Sequence, residues 1–169
     1  MSVTIKTERL ILREYTEDDL DSLYPILTDA ENMKFYPHTF DEDKTRLWIK
    51  QNIERYENFG FGLWAVTLKK TGEFLGDCGI SMQRADGVIL PEIAYHIGRS
   101  HQGRGYATEA AKACLEWIFR NTPFGKIYAN INEKNVRSVN VARRIGMKAC
   151  RENVLNGEKM LLFVKEKNG

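Results

Sequence analysis

Residues 99–109 constrain the fold more than any other stretch, because a strand-like segment runs there through two glycines into a helix-like one. The first turn of a helix has unpaired N–H groups and a partial positive charge, and Gly103 and Gly105 leave those groups open to a diphosphate. Arg104 adds a fixed charge between them. The sequence therefore predicts an anion-binding loop before a helix whose apolar residues recur at helical spacing, namely Ala107, Ala110, Ala111, Cys114 and Ile118.

Two better-known phosphate motifs are missing from the chain. No Gly-x-x-x-x-Gly-Lys-Ser/Thr string occurs, which excludes a P-loop. The dinucleotide fingerprint requires a small residue at position 108 and an acidic residue about 20 residues later, but the chain has Thr108, then Lys126 and Tyr128. The remaining alternative to anion binding is a strand-to-helix turn whose glycines serve the backbone geometry alone.

The composition is that of one globular domain. A chain of 169 residues with 43% hydrophobic residues can bury a single core, so we expect one domain over residues 1–169. No apolar run is long enough to span a membrane, and residues 1–15 do not resemble an export signal. The three cysteines form no Cys-x-x-Cys pair, so we expect neither disulfides nor a zinc site, and a cytoplasmic location.

Charge is distributed unevenly along the chain. Residues 1–98 have 11 basic and 17 acidic side chains, a net charge of −6, whereas residues 99–169 have 14 and 6, a net charge of +8. The basic half suits a polyanionic coenzyme, and the acidic half suits a protonated amine. Nucleic acid is the rival ligand, but the sequence has no helix-turn-helix signature and no basic stripe with interleaved aromatics, so we expect no nucleic-acid partner.

The N-terminal segment predicts a strand followed by a helix. Residues 3–14 alternate apolar and polar side chains, as a half-buried strand does. Thr16 with Asp19 approximates a capping box at the start of a helix. Pro25 argues against an unbroken helix there.

An aromatic segment separates that helix from the next. Residues 32–40 are too aromatic for a plain surface loop, and a second helix is predicted over about 41–56. The aromatic segment forms either a lid on the substrate side, containing Tyr36 and His38, or a layer that packs the two helices together.

Three strands are predicted in the middle of the chain. Residues 61–69 and 73–82 are separated by a short glycine-containing turn that suits a hairpin. Asp86-Gly87 signals another turn, so residues 88–97 should pair antiparallel with the preceding strand. Pro91 donates no N–H, which indicates a local irregularity. In this last strand one face should hold Glu92, Ala94 and His96, and the other Ile93, Tyr95 and Ile97.

The last third of the chain predicts a strand, a helix and a hairpin. Residues 126–132 form the strand and residues 135–145 a helix that ends at Gly146. A helix connects the strands 88–97 and 126–132, and this strand-helix-strand order favours parallel pairing of the two strands. Asn156-Gly157 signals a type I′ turn between two final strands. Together the elements predict an α+β fold with a mixed, mostly antiparallel sheet of about seven strands and about four helices.

The glycine stretch resembles the signature of the GNAT superfamily of acetyl-CoA-dependent N-acetyltransferases, Gln/Arg-x-x-Gly-x-Gly/Ala, which Gln102, Gly105 and Ala107 match. Residues 102–110 and the opening segment 7–13 are similar to the branch that acetylates ribosomal-protein N-termini. The resemblance extends from 7 to 147 and so covers most of the chain.

The resemblance implies a binding site for acetyl-CoA as cosubstrate. In the family, the strands equivalent to 88–97 and 126–132 splay apart to admit the coenzyme, and a bulge frees backbone groups for its pantetheine arm. By position these groups belong to Tyr95 and Ile97. The other residues that the resemblance assigns to the coenzyme are Gln102, Gly103, Arg104, Gly105, Tyr106, Ala107, Thr108 and Asn135.

Acetyl transfer to an amine requires a neutral amine, a stabilised oxyanion and a proton for the leaving thiolate, but no covalent nucleophile. Glu92 is the candidate base, directly or through water; the alternative is a solvated or ion-paired carboxylate. Asn135 and Ser138 match the family's Asn-x-x-Ser stretch, although Asn135 could simply cap a helix. In many relatives, a tyrosine seven residues after this asparagine is the general acid. Here that residue is Ala142, which leaves Ser138 or water as the proton donor.

The sequence leaves the acceptor open. A protein N-terminus, a polyamine, an amino acid and an aminoglycoside all fit, and an acyl-CoA-binding module without turnover is an alternative of another class. The chain is expected to be a monomer or a homodimer. No metal is expected, because His96 and His101 lack carboxylate or cysteine companions at ligand spacing, and Cys114 is expected in the core.

Overall fold

The computed structural model describes residues 2–85 and 87–169. One sheet of eight strands runs in the order β1-β2-β3-β4-β5-β6-β8-β7. The strands are β1 Thr4–Lys6, β2 Leu10–Arg13, β3 Leu63–Leu68, β4 Phe74–Ala85, β5 Val88–Ile97, β6 Lys126–Asn132, β7 Lys148–Leu155 and β8 Glu158–Glu166. The α-helices are α1 Leu20–Leu27, α2 Glu42–Phe59, α3 Tyr106–Asn121 and α4 Val136–Arg144.

The mixed, mostly antiparallel sheet agrees with the fold expected from the sequence. Neighbouring strands are antiparallel except β5 and β6, which are parallel. The sheet has eight strands instead of about seven because the first predicted strand is a hairpin of β1 and β2. Thr7 makes the turn: its N–H donates to the carbonyl of Leu10 at 3.0 Å, and its Oγ1 accepts from the N–H of Leu10 at 2.9 Å.

Two turn predictions have different outcomes. Asn156 and Gly157 both have positive φ, 52° and 78°, as the predicted type I′ turn requires. The turn predicted at Asp86-Gly87 includes Asp86, which lies outside the described residues. The antiparallel pairing that it implied is present, with Ala85 opposite Val88.

Helix α1 continues through Pro25, so the expected interruption is wrong. Pro25 lies on the exposed side of the helix. The carbonyl one turn earlier, which loses its N–H partner to the proline ring, therefore faces water instead of the core.

The helices cover opposite faces of the sheet. Adjacent β4 residues show this, since Asp77 accepts a hydrogen bond from Trp48 of α2, whereas Cys78 lies 3.6 Å from Cys114 of α3, sulfur to sulfur. Both cysteines are fully buried, as expected for Cys114. Of the helices in the described part of the chain, none has the length and apolar character needed to cross a membrane.

Strands β5 and β6 pair and then diverge. The described ladder between them consists of one parallel pair, Glu92 with Tyr128. The bulge expected in β5 is absent from the described ladder with β4, which runs from Val88 to Ile97 without a register shift. Pro91 fits this regular ladder because it faces Met82 in a pair where its nitrogen points away from β4. The divergence of β6, and not a bulge, frees the edge of β5.

Candidate active site

The loop before α3 has the open geometry that the glycines predicted. Gly103 and Gly105 have φ of 79° and 83°, a left-handed conformation that favours glycine. Gly105 precedes the first helical residue, and no side chain in the described residues caps the helix there. The first-turn N–H groups of Tyr106, Ala107 and Thr108 therefore face a cavity of about 860 Å³ that these residues line.

Gln102 fastens this loop to two other segments. Its Nε2 donates to the carbonyl of Ile97 at 2.8 Å and to Oδ1 of Asn32 at 2.6 Å. Its Oε1 is buried and has no partner within residues 2–85 and 87–169. Gln102 thus holds the loop at the end of β5 and leaves one acceptor unused beside the cavity.

Arg104 and Glu109 have structural contacts. The carbonyl of Arg104 accepts from Arg9 at 2.9 Å, and the exposed Arg104 side chain is not part of the cavity wall. Glu109 accepts from Thr7 Oγ1 at 2.7 Å and from Arg9 at 2.7 and 2.9 Å. Burial raises the pKa of Glu109, but these hydrogen bonds and the charge of Arg9 outweigh it, so the pKa is lowered. The basic residues that do line the cavity are Lys34, Arg99, Lys134, Arg137 and Arg144.

The free edge of β5 continues this cavity. Gly98 donates to Leu75 at 2.8 Å, and antiparallel ladders alternate, so the backbone groups of Tyr95 and Ile97 point away from β4, towards the side where β6 diverges. The carbonyl of Ile97 already accepts from Gln102. The N–H of Ile97 and both backbone groups of Tyr95 thus face the gap.

A second cavity, of about 610 Å³, lies on the α2 face of the sheet. Tyr36, His38 and Trp48 line it, so the aromatic segment is placed where a lid was expected. The alternative also has support, because the ring of Phe40 packs edge-on against Trp48 at 5.8 Å. The two cavities share wall residues where β5 and β6 diverge: Lys34, Phe35, Tyr36, Tyr95, His96, Lys134, Asn135 and Ser138.

Glu92 lies in the second cavity at the point where the strands part. Its Oε1 accepts from the backbone N–H of Asn130 at 3.1 Å, taking the place of a carbonyl of β5. Burial raises the pKa of Glu92, while the hydrogen bond from Asn130 lowers it, and the net direction is upward. The carboxylate is neither freely solvated nor ion-paired among the described residues.

Asn135, Ser138 and Tyr95 meet at the start of α4. Asn135 Oδ1 accepts from the N–H of Ser138 at 3.4 Å, so Asn135 is the helix cap that the alternative predicted. The Tyr95 hydroxyl donates to the carbonyl of Ser138 at 2.7 Å. Burial raises the pKa of Tyr95 well above its ordinary value. Ser138 lines both cavities, and Ala142 is buried one turn further along α4.

Sequence reasoning missed a buried polar cluster behind the second cavity. Asp77 is fully buried and accepts hydrogen bonds from Tyr15, Trp48 and His96. The signal available in the sequence was an aspartate inside the apolar first half of β4, residues 74–80. His96 is its neighbour only through the β4–β5 register, which pairs the two residues directly. Within the described residues, no group of three or more His, Cys, Asp or Glu side chains is arranged to hold a metal ion.

Comparison with known proteins gives the family. The model of the acetyltransferase (GNAT) domain matches residues 9–148. YkkB of Bacillus subtilis is 40% identical over 142 residues, which cover 83% of each chain. YnaD of the same organism, named an N-acetyltransferase, is 30% identical over 146 residues, which cover 85% of this chain and 82% of YnaD.

A solved structure is similar throughout. The ribosomal L7/L12 α-N-protein acetyltransferase RimL, in complex with coenzyme A, superposes with a TM-score of 0.79 at 17% identity, over 97% of this chain and 98% of RimL. At this identity the likeness concerns the fold alone. The family match over most of the chain, the identity to YkkB and the glycine loop at the start of α3 agree, and this protein belongs to the GNAT acetyltransferase family.

Proposed function

We propose that this protein transfers the acetyl group of acetyl-CoA to a primary amine by direct attack in a ternary complex. The observation that carries the proposal is the junction of two cavities at the divergence of β5 and β6. One cavity has a helix start and basic side chains suited to a diphosphate. The other is lined by aromatic side chains and by Glu92, a carboxylate that suits an amine, with Lys34, Arg84 and Lys134 elsewhere in its wall.

The coenzyme is proposed to lie along the loop and the free edge of β5. The N–H groups of residues 106–108 would receive the diphosphate, and the backbone groups of Tyr95 with the N–H of Ile97 would receive the amides of the pantetheine arm. Gln102 and Asn135 support this site indirectly, because they fasten the loop and cap α4. Arg104 contributes only through its backbone.

The proton transfers are proposed to involve Glu92 and Ser138. One oxygen of Glu92 is occupied by Asn130, so its other oxygen is the one available to take a proton through water. A carboxyl whose pKa is raised by burial is a better base than a solvated one. Ser138, at the junction, or water would return a proton to the thiolate, which is already a tolerable leaving group.

A protein N-terminus is the acceptor that we propose first. The likeness of the fold to an α-N-protein acetyltransferase supports it, and so does the cavity of about 610 Å³, which is wide enough for a terminal residue. An α-amine is also neutral in roughly a tenth of molecules at pH 7, against well under one in a thousand for lysine. Polyamines, amino acids and aminoglycosides are the small-molecule alternatives.

Thiol release and product mass together test the proposal. The purified protein and acetyl-CoA are incubated with peptides of free N-terminus, with the same peptides blocked at the N-terminus but containing lysine, and with the small amines. We expect acetylation of the free peptide and little of the blocked one. Turnover of small amines alone would mean that the acceptor is a small molecule and not a protein N-terminus. Thiol release without any acetylated product would indicate an acyl-CoA-binding module.

A further inference from the structure

The buried carboxyl group of Asp77 has three hydrogen-bond partners. Its Oδ2 accepts from the Tyr15 hydroxyl at 2.6 Å and from the indole N–H of Trp48 at 2.9 Å, and its Oδ1 lies 2.6 Å from Nδ1 of His96. An indole N–H can only donate. Burial, followed by the charge of Asp77, raises the pKa of Tyr15 well above its ordinary value, so this hydroxyl stays protonated and donates too.

This arrangement sets the tautomer of His96. A carboxylate can only accept, so the hydrogen between Asp77 and His96 lies on Nδ1. The lone pair of the neutral ring is then on Nε2. The side chains of His96 and Asp77 are only 4% and 0% exposed, so water does not weaken this orienting contact.

Nε2 of His96 is open to the cavities. It has no hydrogen-bond partner among the described residues. In that part of the chain, the side-chain atoms that are both fully buried and unpaired belong to Trp64, His101 and Gln102. Nε2 of His96 is not one of them, so it is accessible. His96 lines both cavities. A satisfied core histidine would have both nitrogens bonded, whereas this one presents a free lone pair to the junction.

Aromatic rings hold His96 in place from two sides. The ring of Tyr36 lies 4.9 Å away and that of Trp48 5.8 Å away, edge-on, centroid to centroid. These two rings restrict the rotation of the His96 side chain. The charged groups in the wall shared by the two cavities are Lys34 and Lys134, and Glu92 lies beside them in the second cavity.

We propose that His96, oriented by Asp77, is the general base that takes the first proton from the acceptor ammonium. Nε2 accepts that proton, the neutral nitrogen forms a bond to the acetyl carbon, and the carbonyl electron pair moves to oxygen. The intermediate collapses with cleavage of the C–S bond, and the sulfur leaves with its electron pair. The second proton of the nitrogen passes to the thiolate, and His96 releases its proton to water.

This inference rests on the proposed transferase function and assigns its proton transfers to different residues. Glu92 is four residues away on the same face of β5, about 13 Å along the strand, so the two side chains enter the cavity at different points. His96, at the junction of the cavities, makes the direct contact, and Glu92 receives the proton of His96 through water. Asp77 is a positioning residue, because it reaches the amine only through His96.

Rate–pH profiles with two acceptors of different basicity test the assignment. His96→Gln should lower kcat/KM for the amine at pH 7 by about 100-fold or more, with partial recovery at high pH, and leave the KM for acetyl-CoA unchanged. The loss should be larger for a lysine side chain than for an α-amine, because fewer lysine amines are neutral without a base. Asp77→Asn should lower the rate less and move the acidic limb of the profile to lower pH.

Asp19→Asn is the matched control, because Asp19 is also buried and bonded, at 2.8 Å to Arg13, but lies outside both cavities. It should lower stability without changing the profile. If the core variants unfold, nitrogen NMR of the parent protein reports the tautomer directly, with Nδ1 protonated and Nε2 bare at neutral pH. Added imidazole should also restore turnover to His96→Gly.

Two results overturn the inference. One is a folded His96→Gln protein that keeps the parent rate within about twofold between pH 6 and 9. The other is the opposite tautomer in the NMR spectrum. An inactive parent protein would instead count against the transferase function itself, so the two failures are distinguishable.

Discussion

At the scale of single residues, Glu92 shows how a partly buried carboxylate is held at a cost to the fold. Its carboxylate is half-buried between diverging strands, with one backbone N–H as its described partner. Burial raises its pKa, so folding favours the protonated form. Above the ordinary value of 4.5 the unfolded chain releases this proton more readily, and the stability contributed by the group falls as pH rises.

Glu92→Gln should therefore be at least as stable as the parent protein at neutral pH. Glutamine keeps an oxygen to accept from Asn130 but carries no buried charge. The stability difference should be small near pH 4 and grow in favour of the variant towards pH 7, measured by thermal unfolding. Glu92→Ala, which removes the acceptor, should be destabilised by about 1–3 kcal/mol. A Glu92→Gln variant that loses stability relative to the parent protein as pH rises would contradict this account.

The same variant should lose activity in a pH-dependent way. With Glu92 acting through water, Glu92→Gln should lower the rate roughly tenfold at neutral pH and recover as the acceptor becomes neutral at higher pH. Ser138→Ala should cause a smaller loss at all pH values, because a thiolate can leave without full protonation. The check is a rate–pH profile at saturating acetyl-CoA. Identical profiles for Glu92→Gln and the parent would make Glu92 purely structural.

At the scale of elements, glycine substitutions near the start of α3 can distinguish the effect of backbone strain from the effect of a lost ligand contact. A valine at Gly105 would be strained by the positive φ whatever it binds. Gly103 and Gly60 form a better pair, because both have φ of 79° and an added Cβ would meet nothing within 4 Å at either. Gly103 lines the cavity of about 860 Å³ in front of α3, and Gly60 ends α2 away from both cavities.

Gly103→Ala and Gly60→Ala should lower stability equally, by about 1 kcal/mol. Only Gly103→Ala should weaken acetyl-CoA binding, by about tenfold, since its methyl group occupies the space needed by a diphosphate. Calorimetry with acetyl-CoA measures the binding. Equal affinities for the two variants would mean that the diphosphate does not approach this loop.

Helix α3 is also tied to the β1–β2 hairpin through Glu109. Glu109→Gln should cost about 1–2 kcal/mol of stability at pH 7, because three hydrogen bonds lose their charged acceptor. The pKa of Glu109 is lowered in the fold, so its stabilisation is present above the ordinary value of 4.5 and is lost as pH falls below it. Denaturant unfolding should show a larger difference at pH 7 than at pH 3. Exposed Glu116→Gln on the same helix is the control.

Local signals predicted the elements, and long-range register decided what the sequence could not show. Glycines and caps mark turns and helix starts in the neighbouring residues, so the glycine loop, the Asn156-Gly157 hairpin and the cap at Asn135 were readable. Asp77 and His96 are 19 residues apart and meet only because β4 and β5 pair in one particular register. Alternation of side chains alone leaves such a register open, so the signal that could have found the pair was the predicted two-residue turn at Asp86-Gly87.

At the scale of the whole molecule, the charge asymmetry of the sequence becomes a feature of one cavity. Four of the basic side chains around the cavity in front of α3 come from the second half of the chain: Arg99, Lys134, Arg137 and Arg144. The basic half thus surrounds the loop that carries the first-turn N–H groups. Clustered charge of this kind accelerates the approach of a polyanion and is screened by salt.

Acetyl-CoA should therefore associate more slowly as ionic strength rises, by about tenfold or more between low and high salt. Replacing Arg137 and Arg144 by alanine should reduce both the rate at low salt and its salt dependence. Lys69→Ala with Lys70→Ala is the matched control, because it removes the same net charge from residues that line neither cavity. Stopped-flow rates compare the three proteins. If both double variants respond to salt alike, the net charge of the protein steers the coenzyme and the arrangement of charge around the cavity does not.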